Sequence, residues 1–241
     1  RLTPRAGLIY NRSPNVAVKY LYGTAFRAPN AYELDYYTST SRTPLGPERI
    51  TTHEVIWEQY TSDWLRTSAS AYRNDVWDLI TLTTSPEGEL VFRNEGRMRG
   101  KGLDVEAEVR LHSGFQVLGS YALQESTNAE TGADLVNSPR HLVRLRASVP
   151  GPVVGSTVAV ESSYIGRRRT VAGAWLDGVA VSNLTTSWPV GRGVFLEGSI
   201  RNLFDVAYAE PASEEHVQVS IPQDGRTAYL GLRWSFGRQG K

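Results

Sequence analysis

The side chains able to do chemistry gather in stretches of this chain that carry no regular hydrophobic pattern. Arg167-Arg168-Arg169 is the sharpest charge cluster. Three guanidiniums suit an anionic metal chelate, or the phosphates of an outer lipid leaflet, because arginine donates charge-assisted hydrogen bonds to such oxygens. Residues 27–47 hold Tyr32, Glu33, Asp35, Tyr36 and Tyr37. Aromatics with a few charges fit an amphipathic ligand, and equally an interfacial aromatic belt. Residues 205–224 hold Glu210, Glu214, Glu215, His216 and Asp224, with His216 as a further candidate contact. The candidate ligand-binding set is therefore Tyr32, Glu33, Tyr36, Tyr37, Arg167, Arg168, Arg169 and His216.

Catalysis finds little support. No grouping has metal-ligand spacing, so neither a metal site nor a cofactor is assigned. Neither a nucleophile–base–orienter set nor a Gly-rich phosphate loop is present. The absence of cysteine excludes disulfides, thiolate metal sites and a thiol nucleophile. A formal net charge of +1 gives no general attraction for nucleic acid.

The elements that must position these residues are strands. Leu103-Asp104-Val105-Glu106-Ala107-Glu108-Val109-Arg110-Leu111 alternates without a break. Successive side chains of a strand point to opposite faces, so one face here is aliphatic and the other charged. Lipid on one side and a wet lumen on the other explain this better than an ordinary core. In the segments around 114–126, 138–149 and 225–236 the apolar sets are assigned to lipid. The charged residues Lys19, Glu54, Glu58, Glu106, Arg110, Arg144, Arg146, Glu161, Arg201 and Arg233 are assigned to the lumen, paired across neighbouring strands. The 40% hydrophobic content suits such a wall, since half of each strand is polar. No run approaches the roughly 18–20 apolar residues that a membrane helix needs.

The periodicity predicts eleven strands, at 3–11, 15–26, 48–60, 64–83, 89–112, 114–126, 138–149, 155–167, 177–188, 193–204 and 225–236. Tight turns at Asn11-Arg12-Ser13-Pro14, Thr61-Ser62-Asp63, His112-Ser113-Gly114, Pro150-Gly151-Pro152 and Val190-Gly191-Arg192 alternate with longer loops at 27–47, 84–88, 127–137, 168–176 and 205–224. Short and long connections in strict alternation predict an all-β, antiparallel up-and-down transmembrane barrel. Most segments also reach the roughly 9–11 residues that cross a bilayer at a tilt.

Several motifs resemble one family. Phe26-Arg27-Ala28-Pro29-Asn30-Ala31-Tyr32-Glu33-Leu34 resembles the FRAP-x-x-x-EL stretch of TonB-dependent outer-membrane receptors, and Leu45-Gly46-Pro47-Glu48 resembles their L-x-P-E. Asn94-Glu95-Gly96 followed by Gly102-Leu103-Asp104-Val105-Glu106 is similar to their N-x-G and G-[LV]-[DE]-x-E strand. Arg201-Asn202-Leu203-Phe204-Asp205 with Tyr208 resembles R-N-L-F-D-x-x-Y, and Trp234-Ser235-Phe236 resembles the aromatic-ended closing strand, here followed by residues 237–241.

The resemblance implies the C-terminal part of a barrel of about 22 strands, in the outer membrane of a Gram-negative bacterium. It implies capture of a scarce ligand, a ferric siderophore above all, and energised import once a plug domain rearranges. The TonB complex would act through that plug, which is expected to lie outside this chain together with the N-terminal strands. The chain opens at Arg1 with no signal peptide and reads as a fragment or processed piece. Its first and last strands should then leave an open half-barrel or be forced into a narrow closure.

The motif residues Phe26, Arg27, Pro29, Pro47, Glu48, Asn94, Gly96, Asn202, Leu203, Phe204, Tyr208 and Phe236 are read as structural, with Arg27 placed where a strand leaves the membrane, within reach of lipopolysaccharide phosphates. The alternative is a small self-contained outer-membrane barrel: a passive pore, an adhesin, or a hydrolase built on His53, His112, His141 or His216.

Overall fold

The computed structural model describes residues 2–35, 44–213 and 216–235. Strand alternation becomes a long meander: β1 (Arg5–Ser13), β2 (Val16–Arg27), β3 (Glu48–Ser62), β4 (Leu65–Thr84), β5 (Leu90–Arg110), β6 (Gln116–Asn128), β7 (His141–Pro150) and β8 (Thr157–Ile165). Two-residue strands β9 (Arg168–Arg169) and β10 (Trp175–Leu176) form a hairpin before β11 (Val179–Gly191) and β12 (Val194–Arg201). A second small hairpin, β13 (Ala209–Pro211) with β14 (Ser220–Pro222), precedes β15 (Thr227–Trp234).

The large sheet has eleven strands in the order β1-β2-β3-β4-β5-β6-β7-β8-β11-β12-β15. Every pairing is antiparallel between chain neighbours once the two small hairpins are set aside. β1 and β15 are its two edges and are not paired with each other, so the sheet is an open segment of a barrel wall. The eleven strands sit on the predicted spans to within a few residues.

The departures have local causes. The loop predicted at 27–47 contains a short helix, α1 (Ala31–Asp35), started by a reciprocal cap. The Asn30 side chain accepts the Glu33 N–H at 2.8 Å, and the Glu33 carboxylate accepts the Asn30 N–H at 2.9 Å. β12 stops at Arg201, short of the predicted 204, because Asn202 turns left-handed at φ 48°. The hairpins β9–β10 and β13–β14 fall inside predicted loops, being too short for periodicity to reveal.

Register turns the alternation into two continuous walls. Tyr20, Val55, Ala71, Leu103, Leu123 and His141 are successive cross-strand partners on one face. Below them run Val18, Trp57, Ala69, Val105, Tyr121, Val143 and Tyr164. On the opposite face Glu58, Ser68, Glu106, Ser120, Arg144 and Ser163 form an equivalent row.

A conventional core is nearly missing. Among the described residues the buried apolar side chains are Val76, Ile80, Val91, Val179 and Ala212. Leu103 and Val105 are each 42% exposed, and Leu230 and Leu232 exceed 70%. A water-soluble protein rarely leaves so large a contiguous apolar surface uncovered, whereas a wall facing lipid requires it.

Candidate functional site: one rim and the inner wall

The four long connections, 28–47, 129–140, 166–178 and 202–226, lie at one end of the sheet together with 85–89, which is no longer than 111–115 and 151–156 at the other end, and three of the sequence motifs meet there. Arg27, the last residue of β2, donates through Nε to Glu48 at 2.6 Å and through both terminal nitrogens to Glu33 at 2.9 Å. Glu48 also accepts the Ile80 N–H at 2.9 Å, tying β3 to β4. The Asn94 side chain accepts the Gly46 N–H at 2.6 Å and donates to the carbonyls of Gly46 and Asp78. Residues 26–34, 45–48 and 94–96 are thus one clasp holding a loop to the tops of β2–β5.

A break in the β4–β5 register between Val76 and Ile80 makes room for the clasp. Asp78 adopts φ 57° there, and its carboxylate accepts two hydrogen bonds from Arg49. Gly96 is required opposite, because an added Cβ would lie 2.8 Å from the Leu79 Cβ. The carboxylate of Glu33 is pulled upward in pKa by partial burial, but hydrogen bonds from Arg27 and the Asn30 N–H outweigh this and leave it below the usual carboxylate range.

The other side of the rim is built differently. Arg168 on β9 is 3% exposed and ion-paired with Glu210 on β13, and its Nε has no partner. It therefore joins the β8–β11 connection to the β12–β15 connection. Asn202, 4% exposed, knots the second of these. Its side chain accepts the Val206 N–H and donates to the carbonyls of Val206 and Asp224, while its own N–H donates to Asn183. Asp205 accepts the Arg226 N–H at 2.7 Å, closing the turn onto β15.

The charged wall carries its own network. Lys19 donates to Glu58 at 2.5 Å, and Arg66 bridges Glu58 at 3.4 Å and Glu106 at 2.9 Å. Arg233 pairs with Glu197 at 2.5 Å and lies over the Phe195 ring. Glu54, Tyr72, Asp104 and Arg144 join Glu58 and Arg66 around a recess of about 600 Å³. Arg66 was not among the predicted inner-wall charges, although its parity with Ser68, Ser70 and Tyr72 marks the face.

The predicted contact residues scatter over this rim. Tyr32 stands edge-on to Phe92, with ring centroids 5.8 Å apart, and Glu33 belongs to the clasp. Arg167 stacks on Trp175 at 4.7 Å, Arg168 turns into the Glu210 pair, and Arg169 lies on the same hairpin. His216 bonds Ser213 at 2.8 Å. Tyr36, Tyr37 and the closing-strand Phe236 lie outside the described residues. Of the motif residues, Phe26 and Phe204 are exposed, Pro29, Pro47 and Tyr208 are half-buried, and the Leu203 N–H donates to Ser182. His53 and His141 sit on the apolar face, each bonded to a tyrosine hydroxyl, Tyr20 and Tyr121 respectively.

An antiparallel meander with one lipid-type face, one charged face and all long connections at one end defines a segment of a transmembrane β-barrel. Residues 1–203 match the family described as TonB dependent receptor-like, beta-barrel, and the chain belongs to that family. Its fold is that of solved receptors. The ferric-catecholate import receptor Fiu of E. coli K12 aligns with a TM-score of 0.75 at 20% identity, over 96% of this chain and 34% of that one. The copper transporter OprC aligns at 0.78 and 20% identity, over 96% and 39%. A variant of the ferric enterobactin receptor PfeA of Pseudomonas aeruginosa gives 0.77 and 20%, over 97% and 40%. The chain therefore spans between a third and two-fifths of the length of these proteins.

Proposed function

We propose that this chain is the C-terminal part of the barrel of an outer-membrane receptor that captures a scarce ligand at its long-loop rim and imports it through the lumen. In this reading the N-terminal strands complete the wall, a plug domain fills the lumen, and the TonB complex acts on the plug. The observation that carries it is the two-faced sheet: an uncovered apolar face needs lipid, and a charged face with a 600 Å³ recess needs a polar filling. Both bare sheet edges, β1 and β15, call for further strands.

The cargo we favour is a ferric siderophore. Several proteins of like fold are iron-chelate receptors, Fiu and PfeA among them. The rim offers aromatic and cationic groups at Tyr32 and Arg167, with Tyr36, Tyr37, Arg169 and His216 as further candidates. Arg168 and Glu33 contribute by holding loops, since each is engaged by an ion pair.

The test is uptake. A strain lacking the full-length receptor is starved of iron, and cell-associated 55Fe is followed with a panel of purified siderophores. Loss of uptake for one chelate, restored by the intact gene, supports the reading. Unchanged iron uptake with a defect in copper or cobalamin acquisition would transfer the cargo to another class. Outer-membrane fractions conducting ions without any plug would instead favour a passive pore.

A further inference from the structure

The charged face of the sheet divides into tied sectors and an untied one. Over β2–β5 Lys19 holds Glu58, and Arg66 holds Glu58 and Glu106. Over β12–β15 Arg233 holds Glu197. Between them, the guanidiniums of Arg144 and Arg146 on β7 and of Arg201 at the end of β12 have no ion pair or hydrogen bond among the described residues, and all three residues are exposed. Register sets Ser120 and Ser163 opposite Arg144, and Thr227 opposite Arg201. Glu161 is the cross-strand partner of Arg146, yet the two form no ion pair. The same face carries Ser148, Thr185 and Ser199, so the arginines stand above a low wall of short hydroxyls.

We propose that this sector, β7 to β12, is the side of the lumen along which an anionic metal chelate passes, with Arg144, Arg146 and Arg201 as its contacts. The route rests on the reading of the chain as an outer-membrane importer.

Charge complementarity favours this occupant: the sector sets three cations against the single carboxylate of Glu161. Position favours it too. Leu142 pairs with Ile165, the last residue of β8 below the rim, and Arg144 is the next inward-facing residue of β7. Arg146 lies about 7 Å further from the rim, and β7 and β12 are three strand spacings apart, about 14 Å. A chelate leaving Arg167 at the rim would meet Arg144 next. Passage also demands contacts that release. Solvated guanidiniums bind anionic oxygens by charge-assisted bonds, each weak enough in water to let go, and several in series favour entry. The β2–β5 sector offers the reverse: its cations are occupied, and Glu54 and Asp104 in its recess have no counter-ion and repel an anion.

The test uses cells bearing the full-length receptor and two 55Fe probes, the trianionic ferric complex of a tris-catecholate and the uncharged ferric complex of a trihydroxamate. Arg144→Gln with Arg146→Gln should leave catecholate affinity on energy-depleted cells unchanged and slow its uptake at saturation by at least about fivefold. Arg144→Lys with Arg146→Lys keeps the charge and should restore most of that rate; no restoration would overturn the route. Equal slowing of both probes with new sensitivity to vancomycin would mean that the arginines hold carboxylates of the plug, and would also overturn it. Catecholate uptake at the wild-type rate in the glutamine variant removes only this inference, as does a wild type that imports the uncharged probe alone. A wild type that binds neither probe removes the siderophore reading itself.

Discussion

The two sides of the rim solve the same problem with opposite economies. Over β2–β5, Arg27 is 44% exposed at its side chain and shared by two carboxylates, with Asn94 tying down the same loop independently. Over β8–β15, the buried Arg168 pairs with the partly exposed Glu210 and also donates to the Ala209 carbonyl, joining two loops, and the Arg168 Nε is left without a partner. A half-solvated network loses little when one member goes. A buried arginine loses much when its carboxylate goes, because the surviving charge has neither water nor counter-ion. The first side should therefore be tolerant and the second brittle.

The largest effect should come from Glu210→Ala in the full-length receptor. Stranding the Arg168 charge should destabilise the local structure by about 3 kcal/mol. Amide hydrogen exchange over 166–178 and 202–226 should accelerate together, since one contact serves both loops. Protection unchanged in either loop would break the contrast.

Asn202→Ala should follow at about 2–3 kcal/mol, by loss of buried hydrogen bonds and by forcing alanine into a left-handed conformation. Its readout is faster exchange confined to 202–226. Gly96→Ala should cost about 1–3 kcal/mol through the clash with Leu79, seen as a lower temperature for the heat-induced shift in gel mobility.

The smallest effect should be Glu33→Gln, under about 1 kcal/mol, because Arg27 keeps Glu48. Its pH dependence has a definite sign. The folded-state pKa of Glu33 lies below its unfolded value. Its contribution is therefore present in full above the unfolded value of about 4.3 and is lost as pH falls through the lower folded value. Exchange in residues 30–35 should rise on acidification in the native protein and be flat in the variant.

Much of this was legible in the chain. Period-two alternation gives both walls and all eleven large strands, because a side chain's face depends only on parity. The motif residues are conspicuous in the sequence, but their meeting is not legible there. Arg27, Gly46, Glu48, Asp78 and Asn94 come together only through strand register and a bulge, and neither is written in local composition. The cap that starts α1 is legible as Asn30-x-x-Glu33, but five helical residues are too few for periodicity to mark within the predicted loop 27–47. Arg167-Arg168-Arg169 looked like one cationic patch. A hairpin separates the three guanidiniums, sending one over Trp175 and one into the Glu210 pair.

The central claim is that parity separates lipid from lumen. Since this segment contains no cysteine, single cysteines can be placed at residues 103 to 107 of an otherwise cysteine-free full-length receptor and spin-labelled in outer membranes. Positions 103, 105 and 107 should be readily relaxed by dissolved oxygen and protected from a polar nickel chelate, with 104 and 106 poorly relaxed by oxygen. A two-residue oscillation of that phase is the predicted result. High accessibility to the nickel chelate at 103, 105 and 107 would place the apolar face in water and contradict the account.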